Sequence, residues 1–187
     1  MDLILDYLGN SSAITIIVLT LLSFYFIGIV WLFSYRYSDL LKISNDEKNA
    51  LNQLIQMPSD TSFFSRLNKC INNQKPSQEL LKACEISLIR DQSRGLSALA
   101  IVASTSPFIG LFGTVVGILE SFAAFSTQSK VSFSVIAPAI SEALVATAAG
   151  IFVAIFAYTF HQIMNRKLYE LNTYLTAQSQ IILSRNK

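Results

Sequence analysis

Three stretches of this chain run long with at most one carboxylate and no Lys or Arg. Residues 13–33, AITIIVLTLLSFYFIGIVWLF, are 21 positions free of Asp, Glu, Lys and Arg. A helix of that length rises about 31 Å, the thickness of a bilayer's hydrocarbon core. Residues 95–119, GLSALAIVASTSPFIGLFGTVVGIL, form the second such stretch. The third, about 135–164, is interrupted only by Glu142 and His161. Pro138 near its start marks the first turn of a helix or a kink. Between the first and second stretches the pattern becomes amphipathic. Residues 46–57 and 60–73 carry apolar positions at helical spacing and are parted by Pro58 and Ser59. Pro76 and Ser77 open a further pattern, Leu80, Leu81, Cys84 and Leu88, with Ser77 as N-cap. Only Gly95 separates this pattern from the second apolar stretch, so one long helix is expected to run through both. The tail, residues 165–183, is expected to continue the third helix.

Composition narrows the class. Of 187 residues, 52% are hydrophobic and only 14% charged, too few charges to cover a soluble surface. Mean hydropathy is +0.46. The net charge of +2 argues against a basic nucleic-acid binder. Residues 1–12 contain Asp2 and Asp6 but no Lys or Arg, unlike the basic start of a cleaved signal peptide, so the first stretch reads as a retained span. Two cysteines, Cys70 and Cys84, lack metal-ligand spacing and are expected to be buried and reduced. No cofactor or metal site is implied, and Gly110, Gly113 and Gly117 lack the lysine that would complete a phosphate loop.

Loop charges set an orientation. Residues 34–94 hold nine Lys or Arg, and the tail adds Arg166, Lys167, Arg185 and Lys187. The loop between the second and third spans has only Lys130. The excess of basic residues on one side predicts the N-terminus outside and the C-terminus in the cytoplasm. Trp31, Tyr35 and Tyr37 supply an aromatic belt at the inner end of the first span. The expectation is an all-α integral membrane protein with three transmembrane helices and long cytoplasmic helical extensions. Its parts are an extracytoplasmic segment 1–12, spans at 13–35, 95–119 and 135–164, a cytoplasmic segment 36–94, a periplasmic loop 120–134 and a cytoplasmic tail 165–187.

Glu142 is the residue with the most chemical content. It stands about 10 Å below the outer surface of the third span, where a carboxylate costs at least a few kcal/mol. Such a residue faces a bundle interior as a protonatable site, or it snorkels outward, or it complements the helix dipole. Ala143, Ala146, Thr147, Gly150, Ala154 and Ala157 make a stripe of small residues on the same helix. Ser106, Gly110, Gly113, Thr114, Gly117 and Ser121 make another on the second span, suited to close helix packing. Each stripe also holds a hydroxyl, Thr114 and Thr147, which can pack, bond back to its own helix, or relay a proton with Glu142. His161 lies 19 residues beyond Glu142, about 28 Å along one helix, so the two form no dyad. Ser104, Thr105 and Ser106 read as compensation for the hydrogen bond Pro107 removes.

Ser106-Pro107-Phe108-Ile109-Gly110-Leu111-Phe112-Gly113-Thr114-Val115-Val116-Gly117-Ile118 resembles the second-span signature of the TolQ/ExbB branch of the MotA/TolQ/ExbB proton-channel family. Ala137-Pro138-Ala139-Ile140-Ser141-Glu142-Ala143-Leu144-Val145-Ala146-Thr147-Ala148-Ala149-Gly150 is similar to the third-span signature. The resemblance is strong over about 95–165 and architectural elsewhere. Residues 103–107 and the tail look slightly more like TolQ. The resemblance implies a homo-oligomeric ring, pentameric in relatives, around a single-span partner of TolR or ExbD type that contributes a membrane aspartate. Proton flow would then drive an energy transducer of TolA or TonB type across the envelope of the bacterial inner membrane. It also implies a proton pathway at Thr114, Glu142 and Thr147. The chain departs from the family pattern where Phe156 replaces a common proline, where Phe160-His161 replaces Tyr-Asn, at Val116 and Glu120, and in a shorter inside segment.

Two other functions compete with a proton-motor subunit. A membrane scaffold or anchor would use Glu142 only to pair helices. An intramembrane enzyme would need a nucleophile and base that the single histidine does not supply.

Overall fold

The computed structural model describes residues 13–56, 65–71, 76–125 and 133–185. All the regular structure among them is helical: α1 (Ala13–Gln56), α2 (Arg66–Ile71), α3 (Gln78–Gln92), α4 (Leu96–Phe125) and α5 (Phe133–Arg185). Residues 1–12, the 126–132 part of the loop and the Pro58–Ser59 breaker lie outside the described residues. Of the expected 60–73 helix, only α2 falls within them.

Helix continuity follows the distribution of breakers. No proline or glycine occurs between Gly28 and Pro58, so α1 runs for 44 residues, and the amphipathic pattern at 46–57 is its end rather than a separate helix. α5 runs for 53 residues, with Pro138 in its second turn. The expected merger of α3 with α4 is corrected. Residues 93–95 form a turn, and Gly95 adopts φ 93°, a left-handed conformation that side chains disfavour. Arg36 reinforces the break. Its Nε donates to the carbonyl of Arg94 at 3.0 Å and its Nη2 to the carbonyl of Asp91 at 3.1 Å, satisfying acceptors that a continuing helix would have used. Ser77 caps α3, accepting from the amide of Leu80 at 3.2 Å.

The chain divides into two units, residues 1–31 with 98–160 and residues 32–97 with 161–187. α1, α4 and α5 are each long and apolar enough to cross a membrane. In the first unit, large apolar side chains point outward: Phe24 is 70% exposed, Trp31 72% and Phe108 70%. Such exposure suits lipid or neighbouring chains and would be intolerable in water.

The second unit is built the other way round. Its core comes from Leu40, Ile43, Ala50 and Leu54 of α1 and Met164, Leu168, Leu171 and Leu175 of α5. These positions alternate three and four apart, the seam of a coiled coil. Two seam positions are polar: Glu47, 1% exposed, and Gln178, wholly buried. Gln178 Nε2 donates to the Glu47 carboxyl and to the Glu47 carbonyl, both at 2.9 Å. One heptad on, the Arg185 guanidinium donates to the carbonyl of Leu54. Both pairs are 131 residues apart, so the two helices run parallel and in register. Ser65 and the amide of Arg66 also donate to Glu47, each at 2.8 Å, seating the start of α2 on the seam.

The cysteine expectation is also corrected. Cys70 and Cys84 are joined by a disulfide between α2 and α3, with Cα atoms 6.1 Å apart. Cys84 is buried but Cys70 is exposed. Spacing of 14 residues in sequence carried no hint of the pairing; the return of α3 against α2, with Leu67, Ile71 and Leu81 buried beside the bond, brings the sulfurs together.

Two outcomes test this unit. Reduction of the purified protein should lower its thermal transition, since opening a loop of this size removes about 3 kcal/mol of chain-entropy stabilisation; identical melting with and without reductant would contradict the bond. Gln178→Leu should cost roughly 1–3 kcal/mol by removing the Gln178 donor from the buried Glu47 carboxyl and carbonyl, and the double variant Glu47→Leu/Gln178→Leu should recover part of the loss in the same melting assay.

Candidate functional site

The first unit's polar atoms collect where two helices come closest. α4 and α5 run antiparallel along their small residues. A Cβ added to Gly150 would stand 2.5 Å from the carbonyl oxygen of Ser106, and one added to Gly110 would stand 2.7 Å from that of Ala146. Gly113 faces Ala146 and Val18 of α1, and Gly117 faces Ala143 and Thr15 of α1. Ala143 and Ala146 are buried in the seam. Only residues without a side chain allow the two backbones this approach.

At that distance the hydroxyls meet. Thr114, 8% exposed, and Thr147 hydrogen-bond to each other through Oγ1. Thr114 Oγ1 lies 3.0 Å from the carbonyl of Ala143 and 3.3 Å from that of Gly110. Thr147 Oγ1 lies 3.3 Å from the same Gly110 carbonyl. Two hydrogens therefore have two complete arrangements. Thr147 can donate to Thr114, which donates to Ala143; or Thr114 can donate to Thr147, which donates to Gly110. The pair can reverse its polarity without leaving a polar atom unpaired.

Glu142 is half-buried and bonds to neither threonine. Five residues separate it from Thr147, which places the two about 140° apart around α5. They flank the buried stripe on opposite sides. Thr114 does reach the level of Glu142, but it meets the carbonyl of Ala143, the next residue.

Neighbouring residues complete the picture, and one of them, Thr15, was not legible beforehand. Thr15 of α1, 1% exposed, adds a third hydroxyl near Gly117; a single threonine in an apolar run gives no signal of its own. Ser106 Oγ is buried without a hydrogen-bond partner. Ser104 and Thr105 both donate to the carbonyl of Ile101, at 3.0 and 2.8 Å, and not to Ala103, whose carbonyl Pro107 leaves free. Phe156 joins Phe152, Phe160 and Phe26 of α1 in an aromatic ladder, with centroids 4.8 to 6.1 Å apart. The position therefore ties α5 to α1 where a proline would have interrupted the helix.

The sequence profile of the MotA/TolQ/ExbB proton channel family matches residues 54–177. The chain belongs to that family. A biopolymer transport protein of Helicobacter pylori named ExbB-like 1 is 41% identical over 188 residues, covering 99% of each chain. A Tol-Pal system protein TolQ of Pseudomonas aeruginosa is 39% identical over 97 residues, which is 49% of this chain and 42% of that one. The biopolymer transport protein ExbB of Neisseria gonorrhoeae is 46% identical over 79 residues, 42% of this chain and 36% of that one. The protein is thus a membrane subunit of a transport and proton-channel family, with no kinship to an enzyme family among these relatives.

The seam predicts an asymmetry between glycines. Gly150→Ala should destabilise the bundle by about 1–3 kcal/mol, because the atom it meets is backbone and cannot turn aside. Gly28→Ala, with no atom within 4 Å, should be neutral. Thermal unfolding in detergent compares the two; equal midpoints would contradict the close approach.

Proposed function

We propose that this chain is the channel-forming subunit of a proton-driven motor in the bacterial inner membrane, with its N-terminus periplasmic and its C-terminus cytoplasmic. Copies of it would form a homo-oligomeric ring around a single-span partner of TolR or ExbD type. Proton flow through the ring would energise a TolA- or TonB-type protein, serving either outer-membrane integrity or uptake of large solutes.

The observation that carries this reading is the reversible Thr114–Thr147 hydroxyl pair, part-buried in a seam of small residues. A proton delivered to Thr114 Oγ1 would displace that group's hydrogen to Thr147 Oγ1, and the hydrogen of Thr147 would pass to the next acceptor, the partner's carboxylate. One proton enters and one departs, and rotation of the two hydroxyls restores the start. Glu142, on the flank of the same stripe, is the group of this seam able to hold a proton between steps. The partner's carboxylate would hold it next. Each charge moved across 100 mV releases about 2.3 kcal/mol, enough over several protons to bias a conformational change.

The orientation rests on the basic residues of 34–94 and the tail. Disulfides are uncommon in the reducing cytoplasm, but the exposed Cys70 leaves this one open to thiol exchange. The scaffold reading draws on the same glycine seam, which holds helices together whether or not protons move.

Reconstitution with the single-span partner in liposomes under an imposed potential separates the two. Glu142→Gln should abolish proton flux while the complex assembles normally. Thr147→Val should slow flux, and Thr147→Ser should restore it. Equal flux in wild type and Glu142→Gln would remove the carboxyl from the pathway. Loss of assembly without an intrinsic loss of flux would favour the scaffold.

A further inference from the structure

The second unit contains a basic cleft that neither the proton reading nor the seam accounts for. It occupies about 510 Å³ at the turn between α3 and α4 and is lined by Ser87, Arg90, Asp91, Ser93, Arg94 and Ser97, with Gly95 at its back. That volume is in the range of small-ligand sites. The apolar span of α4 begins at Leu96, immediately after the turn. Arg94 and Arg90 precede Leu96 by two and six residues, across the turn, which places both beside the hydrocarbon edge. This is the depth of phospholipid headgroups.

We propose that this cleft binds the phosphate of an anionic phospholipid. The lining carries two guanidinium groups and one carboxylate. Arg94 Nη2 bonds Asp91 Oδ1 at 2.9 Å, so the carboxylate is neutralised within the cleft. The Arg90 guanidinium is exposed and makes no hydrogen bond or ion pair among the described residues. An unspent guanidinium presents a planar fork that matches two phosphate oxygens at once. Arg36 supplies a further positive charge beside the cleft while its own donors hold the carbonyls of Asp91 and Arg94. It fixes the floor and leaves Arg90 free. Ser93 Oγ donates to the carbonyl of Arg90 at 2.9 Å, which holds the backbone beneath that guanidinium. Ser87 and Ser97 are exposed hydroxyls that can donate to the remaining phosphate oxygens or to a glycerol headgroup.

The chemistry is that of a phosphate, and a lipid headgroup and a free phosphate ion both present it. The full chain, purified in a zwitterionic detergent, would be titrated separately with phosphatidylglycerol, phosphatidylcholine and inorganic phosphate at one ionic strength, with bound lipid counted by native mass spectrometry. Phosphatidylglycerol should bind at least tenfold more tightly than phosphatidylcholine, and Arg90→Gln/Arg94→Gln should remove about that factor. Lys82→Gln, an exposed cation elsewhere on α3, should leave it intact. Should the double variant lose its helical fold, Arg90→Gln alone, which breaks no hydrogen bond or ion pair among the described residues, should still weaken binding several-fold. Equal binding of the two lipids would overturn the proposal, as would unchanged preference in the arginine variants. Displacement of phosphatidylglycerol by an equal concentration of inorganic phosphate would also overturn it, making the cleft a site for the free ion.

Discussion

Gly110 and Gly150 bring the backbones of α4 and α5 into contact, and the chemistry of the first unit depends on that approach. With any side chain at either position the facing backbones would have to move apart. Thr114 and Thr147 would then lose each other and bond back to their own helices, as Thr20, Ser23 and Thr159 do elsewhere in the protein. A part-buried hydroxyl pair that can donate in either sense is a property of helix spacing before it is a property of threonine. The same spacing leaves no room for a side chain at Gly110 or Gly150 between these helices.

The second unit obeys a different constraint. Its helices are amphipathic and use hydrophobic burial, which does not hold helices together in lipid. The leucine-rich seam of α1 and α5 supplies that burial, and the Glu47–Gln178 contact sets its register. A one-residue slip would part Gln178 from the Glu47 carboxyl and carbonyl, both of which its amide now satisfies. The disulfide and the Ser65 cap fasten the short α2 to the same place, while Arg36 ends α3 and lets Gly95 redirect the chain into α4. Polar groups thus act as register marks in a unit whose stability comes from its apolar side chains.

Membrane proteins of this kind expose much of their organisation in the sequence. Two charge-free runs and a third broken only by Glu142 and His161, their lengths, the cap at Ser77 and the small-residue stripes are local or periodic features. Each reflects a constraint acting within one helix: hydrocarbon thickness, an unsatisfied amide, the need for small residues on one face. The family signatures around Thr114 and Glu142 are equally local, which is why the resemblance could be drawn from two short segments. The basic residues carried the expected orientation in the same way, as a count along the chain.

What involves two segments at once was decided by the fold. Gly95 was visible as a possible breaker, but whether it breaks depends on Arg36, 59 residues earlier in sequence, reaching the carbonyls that precede it. Glu47 reads as one more charge on an amphipathic helix until Gln178 is placed against it. Cys70 and Cys84 look like two unremarkable thiols until α3 folds back on α2. Thr114 and Glu142 sit in adjacent motifs and invite pairing, yet the rotation of α5 turns the carboxyl to one flank and Thr147 to the other. Patterns along one helix follow from its own residues and its solvent. Which residues meet across helices follows from packing distance and register, and those exist only in three dimensions.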